Sequence, residues 1–376
     1  MKWKSHGRGS PRAVFAIYDL PLHSATMQDN EHTHGSFAMF RLPACGESRA
    51  LESEPEELDD VSLAAGRTGF IFAPFDLSGP QPILFFPGEA HPVSQPRRSL
   101  EPTASATPRY DGGRDDYARS FRALHSLVRD KTLRKVVLSR RVSLACQQVE
   151  SKARELFAAA CEAYPQAFVA LISTPRCGTW LMATPELLLE SHGGIMRTMA
   201  LAGTMRTEAG GMVEWSKKNK DEQAVVAQYV TETLAPLAQD IEAQGPETTQ
   251  AANLAHLRTL FSFTLRPGAR VTDLLAALHP TPAVCGLPKA AAQEALRAHE
   301  GVEREYFSGF AGALRANGDT DVFVTLRCMK MSGDGCTLFA GGGLMPESRM
   351  EDEWAETEAK MAAMANLLKT YRATNV

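Results

Sequence analysis

Residues 321–344 read DVFVTLRCMKMSGDGCTLFAGGGL, and this stretch decides the fold. Residues 321–331 and 336–341 each read as a strand, and Gly333-Asp334-Gly335 between them predicts a tight turn. The stretch therefore predicts a hairpin. Elsewhere strands also come in meandering pairs separated by helices, without a regular βαβ alternation. This pattern favours an α+β fold over a parallel doubly wound sheet.

Apolar periodicity predicts the helices that flank these strands. Tyr117, Phe121, Leu124 and Val128 recur every three to four residues, which indicates an amphipathic helix. Further helices are expected over residues 156–164, 220–241, 290–298 and 351–371, and strands over 66–75, 82–87, 135–144, 167–173, 179–183 and 187–190. We expect one large domain of mainly antiparallel sheets flanked by helices. Residues 1–109 would form its N-terminal part, and residues 110–376 carry the functional motifs.

Composition excludes several classes of protein. The chain has 376 residues, 44% of them hydrophobic, and a formal net charge of −4, which argues against a general nucleic-acid binder. A locally positive pocket for an anionic substrate remains compatible with that charge. The seven cysteines include no C-x-x-C pair, so a structural zinc site is not expected. Their odd number fits a protein of the reducing cytoplasm. No apolar run approaches the ~20 residues of a membrane span, and the N-terminus is weak as a signal peptide.

Carboxylates occur on the apolar faces of two predicted helices. Glu222 lies on the stripe that contains Val226 and Val230, and Glu353 and Glu356 share a stripe with Lys360. A carboxylate that faces a core must be paired or must bind a metal. Spacing by itself favours an ion pair between Glu356 and Lys360. The alternative is Mg²⁺, which binds a few carboxylates and keeps sites for water and substrate oxygens.

Two features of residues 321–344 suit an anionic ligand. Arg327 alternates with apolar residues on its predicted strand, so it is either a bidentate carboxylate clamp or a surface arginine. Gly341, Gly342 and Gly343 allow backbone amides to approach an anion, or they form a tight turn. Both alternatives stay open at this point. The G-x-G-x-x-G pattern of dinucleotide sites is absent.

Several motifs in the order of the chain resemble those of the chorismate-utilising enzymes, which comprise isochorismate, salicylate, anthranilate and aminodeoxychorismate synthases. The resemblance covers about residues 110–370. The motifs are Lys135–Arg140 (KVVLSR), Thr184–Glu186 (TPE), Ala202–Thr204 (AGT), Ser216–Gln223, His256-Leu257, His279–Gly286 (HPTPAVCG), Glu303–Tyr306, Leu326–Cys328, Ala340–Leu344 and Glu353–Thr357. Asn219 and Gln223 depart from the commoner residues of the family, as does the end of the Ala202 motif, which lacks Arg-Gly.

The resemblance implies a role for each matching residue. The Mg²⁺ ligands would be Glu222, Glu353 and Glu356. The two carboxylates of chorismate would be held by Arg327, Lys360, Tyr306 and the amides near Gly342 and Gly343. His256 and Thr204 would contact the ring or its substituents, with Ala283 beside it.

The resemblance also suggests the reaction. Addition of water to the ring needs a general base, and release of the ring hydroxyl needs a general acid. Lys135 is suited to the base if its surroundings favour the neutral amine, and Glu186 is suited to the acid if its surroundings favour the protonated form. We therefore expect a Mg²⁺-dependent, reversible isochorismate synthase.

Three positions separate this reaction from those of other members. Enzymes that use ammonia typically have Gln at the position of Lys135, and aminodeoxychorismate synthases have a nucleophilic Lys at that of Ala202. Enzymes that eliminate pyruvate tend to have Thr at the position of Ala283. A salicylate synthase is therefore the nearest alternative. An anthranilate-type subunit is less favoured, as is a non-catalytic chorismate-binding protein. We expect a monomer without a glutaminase partner. The sequence does not separate menaquinone from siderophore synthesis, and menaquinone synthesis is preferred as the commoner use of isochorismate.

Overall fold

The computed structural model describes residues 35–94, 107–109, 113–146, 148–206, 214–251, 254–333 and 335–370. All of these described residues belong to one compact unit. The strands are β1 (Phe37–Arg41), β2 (Ser48–Leu51), β3 (Glu56–Leu58), β4 (Gly69–Ala73), β5 (Ile83–Pro87), β6 (His91–Val93), β7 (Thr107–Arg109), β8 (Lys135–Ala145), β9 (Phe168–Thr174), β10 (Gly178–Thr184), β11 (Leu187–His192), β12 (Ile195–Arg206), β13 (Ala238–Ala251), β14 (Leu254–Leu265), β15 (Gly286–Leu287), β16 (Phe310–Leu314), β17 (Thr320–Val324), β18 (Cys328–Ser332) and β19 (Gly335–Leu344). The helices are α1 (Arg114–Arg129), α2 (Ala153–Ala163), α3 (Lys217–Leu234), α4 (Val271–Leu278), α5 (Lys289–His299) and α6 (Met350–Thr370).

The strands form two antiparallel sheets. The first has ten strands in the order β15-β8-β19-β18-β10-β9-β1-β2-β6, with β7 pairing with β8 beside this path. The second has nine, in the order β13-β14-β12-β11-β17-β16-β4-β5-β3. Every described pair of neighbours is antiparallel. The predicted α+β class with mainly antiparallel sheets is therefore confirmed.

The inner faces of the sheets meet in an aromatic core. Phe168 of the first sheet stacks on Phe323 of the second, with ring centroids 4.4 Å apart. Phe72 of the second sheet lies edge-on to Trp180 of the first. Aromatic pairs of this kind contribute about 0.5–1.5 kcal/mol beyond the area that they bury. This core holds the two sheets face to face.

Helices cover the outer faces. Leu156 and Phe157 of α2 and Met364 of α6 pack on the first sheet, whereas Val226 of α3 and Leu274 of α4 pack on the second. The layers therefore run helix, sheet, sheet, helix. None of the helices among the described residues is long and apolar enough to span a membrane.

Most predicted elements are present, and the differences have physical causes. The helix predicted over 220–241 begins at Lys217 but ends at Leu234. Pro236 lacks the N–H that a continuing helix needs, and Ala238 opens β13 instead. The long β13–β14 hairpin and helix α4 were not predicted from the sequence. Residues 321–331 are not one strand. β17 ends at Val324, and β18 begins at Cys328 in the other sheet.

Two of the crossings between the sheets lie next to each other. Residues 184–187 connect β10 to β11, and residues 324–328 connect β17 to β18. The Val324 amide donates to the Glu186 carbonyl at 2.9 Å, and the Ala183 amide donates to the Arg327 carbonyl at 3.1 Å. The two crossings thus lie side by side. Glu186 and Arg327 are brought together at the seam between the sheets.

Candidate active site

A cavity lies at this seam. The site residues predicted from the sequence that line it are Glu186, Thr204, Glu222, His256, Ala283, Arg327, Gly343 and Lys360. Both sheets and helices α3 and α6 contribute to its wall. The cavity thus brings together predicted site residues that are up to 174 positions apart in the chain, from Glu186 to Lys360.

Lys135 lies behind the cavity wall and contacts Glu222, which lines the cavity, in an ion pair. Lys135 begins β8 and is completely buried. Its Nζ lies 2.8 Å from Oε1 of Glu222. Burial raises the pKa of Glu222, but the Lys135 ammonium, supported by Lys218 and Lys360, outweighs burial, so the net pKa lies below its ordinary value. Glu222 is therefore ionised at neutral pH, as a metal ligand or a counterion must be.

The other two predicted metal ligands also have lysine partners. Oε1 of Glu353 lies 2.5 Å from Nζ of Lys218. Oε1 of Glu356 lies 2.7 Å from Nζ of Lys360, which also donates to the Gly341 carbonyl at 2.8 Å. The ion pair that the spacing of Glu356 and Lys360 predicts is therefore present. Lys218, within the Ser216–Gln223 motif, was not assigned a role by the sequence analysis.

Glycines make room for two of these carboxylates. A Cβ at Gly342 would lie 2.7 Å from Oε2 of Glu353. A Cβ at Gly343 would overlap Oε1 of Glu222 and lie 2.9 Å from Cε of Lys135. Real side chains do not approach so closely, so any larger residue would displace a carboxylate. The glycine run is thus required by side chains packed against the strand, whichever ligand binds there.

The carboxylates fit a hard cation by their chemistry. Oxygen donors of this kind suit Mg²⁺. Oε2 of Glu353 is buried and has no hydrogen-bond donor among the described residues. Burial, and then the neighbouring Glu356 carboxylate, raise the pKa of Glu353. A divalent cation would compensate both the orphaned oxygen and the repulsion between the two carboxylates.

A second cluster of possible ligands is a structural ion-pair network. In the described part of the chain, Glu190, His192 and Asp321 are the group whose ligand atoms lie within 4.8 Å of one another. Arg197 lies 3.0 Å from Glu190, and Arg315 lies 2.9 Å from Asp321. Both carboxylates are thus already neutralised by arginines. None of the five residues lines the cavity.

Glu186 has the properties of a general acid. It follows Pro185 in the crossing from β10 to β11 and is 4% exposed. Burial raises its pKa to about 7, although Lys135, Lys360 and Arg327 oppose the rise. An acid with a pKa near the working pH combines a populated protonated form with a useful driving force for proton transfer.

His256 is neutral and positions Arg327. Burial, and then the nearby Arg327 and Lys360, lower the pKa of His256 to about 3. Nδ1 lies 3.2 Å from the Gly203 carbonyl, and Nε2 lies 3.2 Å from Nη2 of Arg327. A carbonyl can only accept and an arginine can only donate, so these partners require the tautomer with the proton on Nδ1. His256 thus orients the arginine.

Arg327 owes its position to the backbone rather than to strand alternation. The prediction of a mid-strand arginine is wrong, because residue 327 lies between β17 and β18 with a φ of +47°. Burial lowers the pKa of Arg327 to about 10, so it remains a cation at neutral pH. The crossing directs this cation to the cavity, where it can bind a carboxylate.

Tyr306 lies outside the cavity. Its ring stacks on Phe72 at 4.0 Å between centroids, and its hydroxyl donates to the Pro82 carbonyl at 2.9 Å. The next two residues, Phe307 and Ser308, line the cavity instead. The family resemblance implied that Tyr306 would help to hold the carboxylates of the substrate. The structure gives it a core position and no place for a substrate contact.

A buried ion pair behind the cavity was also missed. Arg304 donates to both carboxylate oxygens of Glu300 and, at 2.6 Å each, to the carbonyls of Val137 and Val284. Glu300 in turn accepts from the amide of Ser139 at 2.7 Å. The pair therefore ties strand β8 to the segment that follows Ala283. Its signal in the sequence is the i, i+4 spacing of Glu300 and Arg304.

Known proteins resemble this chain in sequence and in fold. A family model described as chorismate binding enzyme matches residues 90–369. The chain is 34% identical to the isochorismate synthase DhbC of Bacillus subtilis over 66% of this chain and 67% of the relative. It is 33% identical to the isochorismate synthase EntC of Escherichia coli strain K12 over 50% of this chain and 51% of the relative. The matched region thus spans between half and two thirds of these two relatives.

A solved structure has the same fold. The menaquinone-specific isochorismate synthase MenF of Escherichia coli superposes with a TM-score of 0.77 at 23% sequence identity. The superposition covers 89% of this chain and 88% of that chain. The likeness therefore includes strands N-terminal to residue 90, for which the sequence analysis found no motif.

Proposed function

We propose, given that this chain belongs to the family of chorismate-binding enzymes, that it is a Mg²⁺-dependent isochorismate synthase. The carrying observation is that one cavity combines a carboxyl group with a pKa of about 7, Glu186, with the ion pair of Lys135 and Glu222. An acid and a buried amine are the two groups that this isomerisation needs. The activity of the matched relatives, by their names, is the same.

In the proposed reaction, Lys135 takes a proton from a water molecule. The water oxygen bonds to the ring carbon next to the one that carries the carboxylate, and the ring double bonds shift. The C–O bond to the ring hydroxyl breaks, and Glu186 donates the proton that lets this oxygen leave as water. One water is consumed and one released, so substrate and product are isomers and the reaction is reversible.

The remaining cavity residues bind and orient the substrate. Arg327, held by His256, and Lys360 are the cations that face the cavity, and they would bind the two carboxylates of chorismate. Thr204 accompanies His256, to which it is hydrogen bonded at 3.3 Å. The enclosing apolar residues Val137, Leu326 and Phe307 limit water in the site.

Mg²⁺ would be held by Glu222, Glu353 and Glu356, and when bound it would polarise the ring carboxylate and stabilise developing charge.

Ala283 favours isochorismate as the final product, without the elimination of pyruvate that would give salicylate. It lines the cavity, and by the family resemblance enzymes that eliminate pyruvate tend to have Thr there. We further propose that the chain acts without a glutaminase subunit, since Lys135 rather than Gln suits water as the nucleophile.

The test is chromatography of the products after incubation of purified protein with chorismate and Mg²⁺. A mixture of chorismate and isochorismate, absent when EDTA is added, is the expected result. Salicylate with pyruvate would replace the proposal by a salicylate synthase. Absence of turnover with water and with ammonia would indicate a binding protein without catalysis.

A further inference from the structure

Ser308 has a combination of properties that the proposed mechanism does not use. It lines the cavity, yet it is only 1% exposed. Its Oγ is buried and has no hydrogen-bond partner among the described residues. Buried hydroxyl groups are nearly always hydrogen bonded, so an orphaned one needs an explanation.

The backbone at Ser308 is also unusual. Its φ is +65°, in the left-handed region that favours glycine. Its amide donates to the Thr325 carbonyl at 2.8 Å, and the Thr325 amide donates to the Gly309 carbonyl at 2.9 Å. These bonds hold residue 308 beside the crossing that carries Arg327. A glycine would adopt this conformation without strain, whereas the serine side chain makes it unfavourable and so lowers the stability of the fold.

From these observations we infer that Ser308 is a substrate-binding residue, whose hydroxyl donates a hydrogen bond to a carboxylate oxygen of the bound dianion. The inference rests on the proposed function. The buried hydroxyl, orphaned in the protein, would obtain its partner when the substrate binds. Proximity to the Arg327 crossing makes a carboxylate the partner, since Arg327 would hold the same group.

Ser308 would bind the substrate without transferring a proton, unlike Lys135 and Glu186. A hydrogen bond to a carboxylate that takes no part in bond making exists in the ground state as well as in the transition state. Its loss should therefore raise KM and leave kcat nearly unchanged. The expected rise in KM is about tenfold, the size of one hydrogen bond to a charged group.

Two substitutions distinguish the effect of losing the hydroxyl from the effect of relieving the backbone strain. Ser308→Ala removes the hydroxyl and keeps the strain, whereas Ser308→Gly removes both. Lys131→Gly is the matched control, because Lys131 is an exposed non-glycine residue with a φ of +67° outside the cavity. Steady-state kinetics with chorismate and Mg²⁺ and a thermal unfolding curve would be measured for wild type and all three variants.

We expect KM to rise about tenfold in both Ser308 variants, with kcat within twofold of wild type and Lys131→Gly unchanged. Wild-type KM in both Ser308 variants would overturn the inference and leave the proposed function intact. A defect in Ser308→Ala that is absent from Ser308→Gly would also overturn it, because the cause would be strain. Absence of turnover by wild type would overturn the proposed function and this inference together.

Discussion

Nζ of Lys135 lies 2.8 Å from Oε1 of Glu222, so the proposed general base and a proposed metal ligand form one buried ion pair. Removal of either side chain would leave the other as a buried charge without a partner, which would strongly destabilise the folded protein. Gly343 makes the contact possible, since a side chain there would overlap both partners. The metal site and the proton-transfer site are therefore coupled through this pair.

Replacement of Lys135 tests the base. Lys135→Gln should lower kcat by about 10²–10⁴-fold, the usual contribution of a general base, while KM changes little. The measurement is steady-state kinetics with a product assay by chromatography. Lys217→Gln is the control, because Lys217 lies on the nearby helix α3 and its side chain is 87% exposed. Activity of Lys135→Gln within a factor of ten of wild type would remove Lys135 as the base.

Replacement of Glu222 tests the metal site. Glu222→Gln should increase the Mg²⁺ concentration for half-maximal activity by about tenfold or more, because a neutral amide is a weaker ligand for a hard cation than a carboxylate. The measurement is a Mg²⁺ titration of activity, with isothermal titration calorimetry of Mg²⁺ binding alone. Glu232→Gln on the exposed face of the same helix is the control. An unchanged Mg²⁺ titration would exclude Glu222 as a ligand.

The pH dependence of activity should report Glu186. Its pKa of about 7 means that the protonated acid is lost as the pH rises through neutrality. We therefore expect kcat/KM to fall above about pH 7. Glu186→Gln should abolish most activity and remove this alkaline decline from whatever activity remains. The exposed Glu294→Gln is the control. A variant at Glu186 with the wild-type pH profile would contradict the assignment.

Glu186 should also affect stability in a defined direction. Its folded-state pKa is raised from the ordinary 4.5 to about 7. The folded protein therefore binds more protons than the unfolded chain between these values, and the free energy of unfolding falls as the pH rises across them. At pH 8, Glu186→Gln should raise the free energy of unfolding by roughly 3 kcal/mol at most. Urea unfolding of both proteins at pH 5 and pH 8 measures the difference. A variant that gains no stability at pH 8 relative to pH 5 would contradict the raised pKa.

Histidine titration should separate His256 from His192. His256 should stay neutral throughout pH 5–8, because burial lowers its pKa to about 3. His192 should titrate above its ordinary value, because its hydrogen bond to Asp321 raises its pKa. NMR of the ring protons over this range measures both, with assignment from His256→Gln and His192→Gln. A His256 resonance that titrates near pH 6.5 would contradict the tautomer inferred from Gly203 and Arg327.

Substitution in the glycine run tests its packing role. Gly343→Ala should reduce activity by about 10²-fold or more, because its Cβ would displace Glu222 and Lys135, and misplacement by about 1 Å can cost that much. Overpacking should also cost about 1–3 kcal/mol of stability. Activity and thermal unfolding are measured beside Gly333→Ala, whose Cβ would meet no atom within 4 Å. Equal behaviour of the two variants would show that Gly343 is not required.

Much of the fold was readable because it depends on local pattern. The buried residues of α1 are those whose spacing predicted the helix, Tyr117, Phe121, Leu124 and Val128. Strand β8 and helices α5 and α6 also lie where predicted, within a few residues. The long β13–β14 hairpin was missed because its first strand is largely exposed and polar, so it lacks the apolar alternation that marks a half-buried strand.

The tertiary structure decided what local pattern cannot express. Strand alternation predicted the position of Arg327 wrongly, because the backbone crosses between the sheets there. Tyr306, which the family resemblance placed at the substrate, packs in the core against Phe72. The pairing of Lys135 with Glu222, and of Lys218 with Glu353, joins residues 87 and 135 positions apart.

By itself the sequence determined the α+β class, the inward-facing carboxylates of two helices and the set of residues that belongs to one family of enzymes. These follow from periodicity and motif order, which are local along the chain. Only the tertiary structure decided which charges pair, which hydroxyl is left without a partner, and which backbone crossing carries the arginine. Those outcomes depend on burial and distance between remote segments, and the energy of a charge or hydrogen bond is set by both.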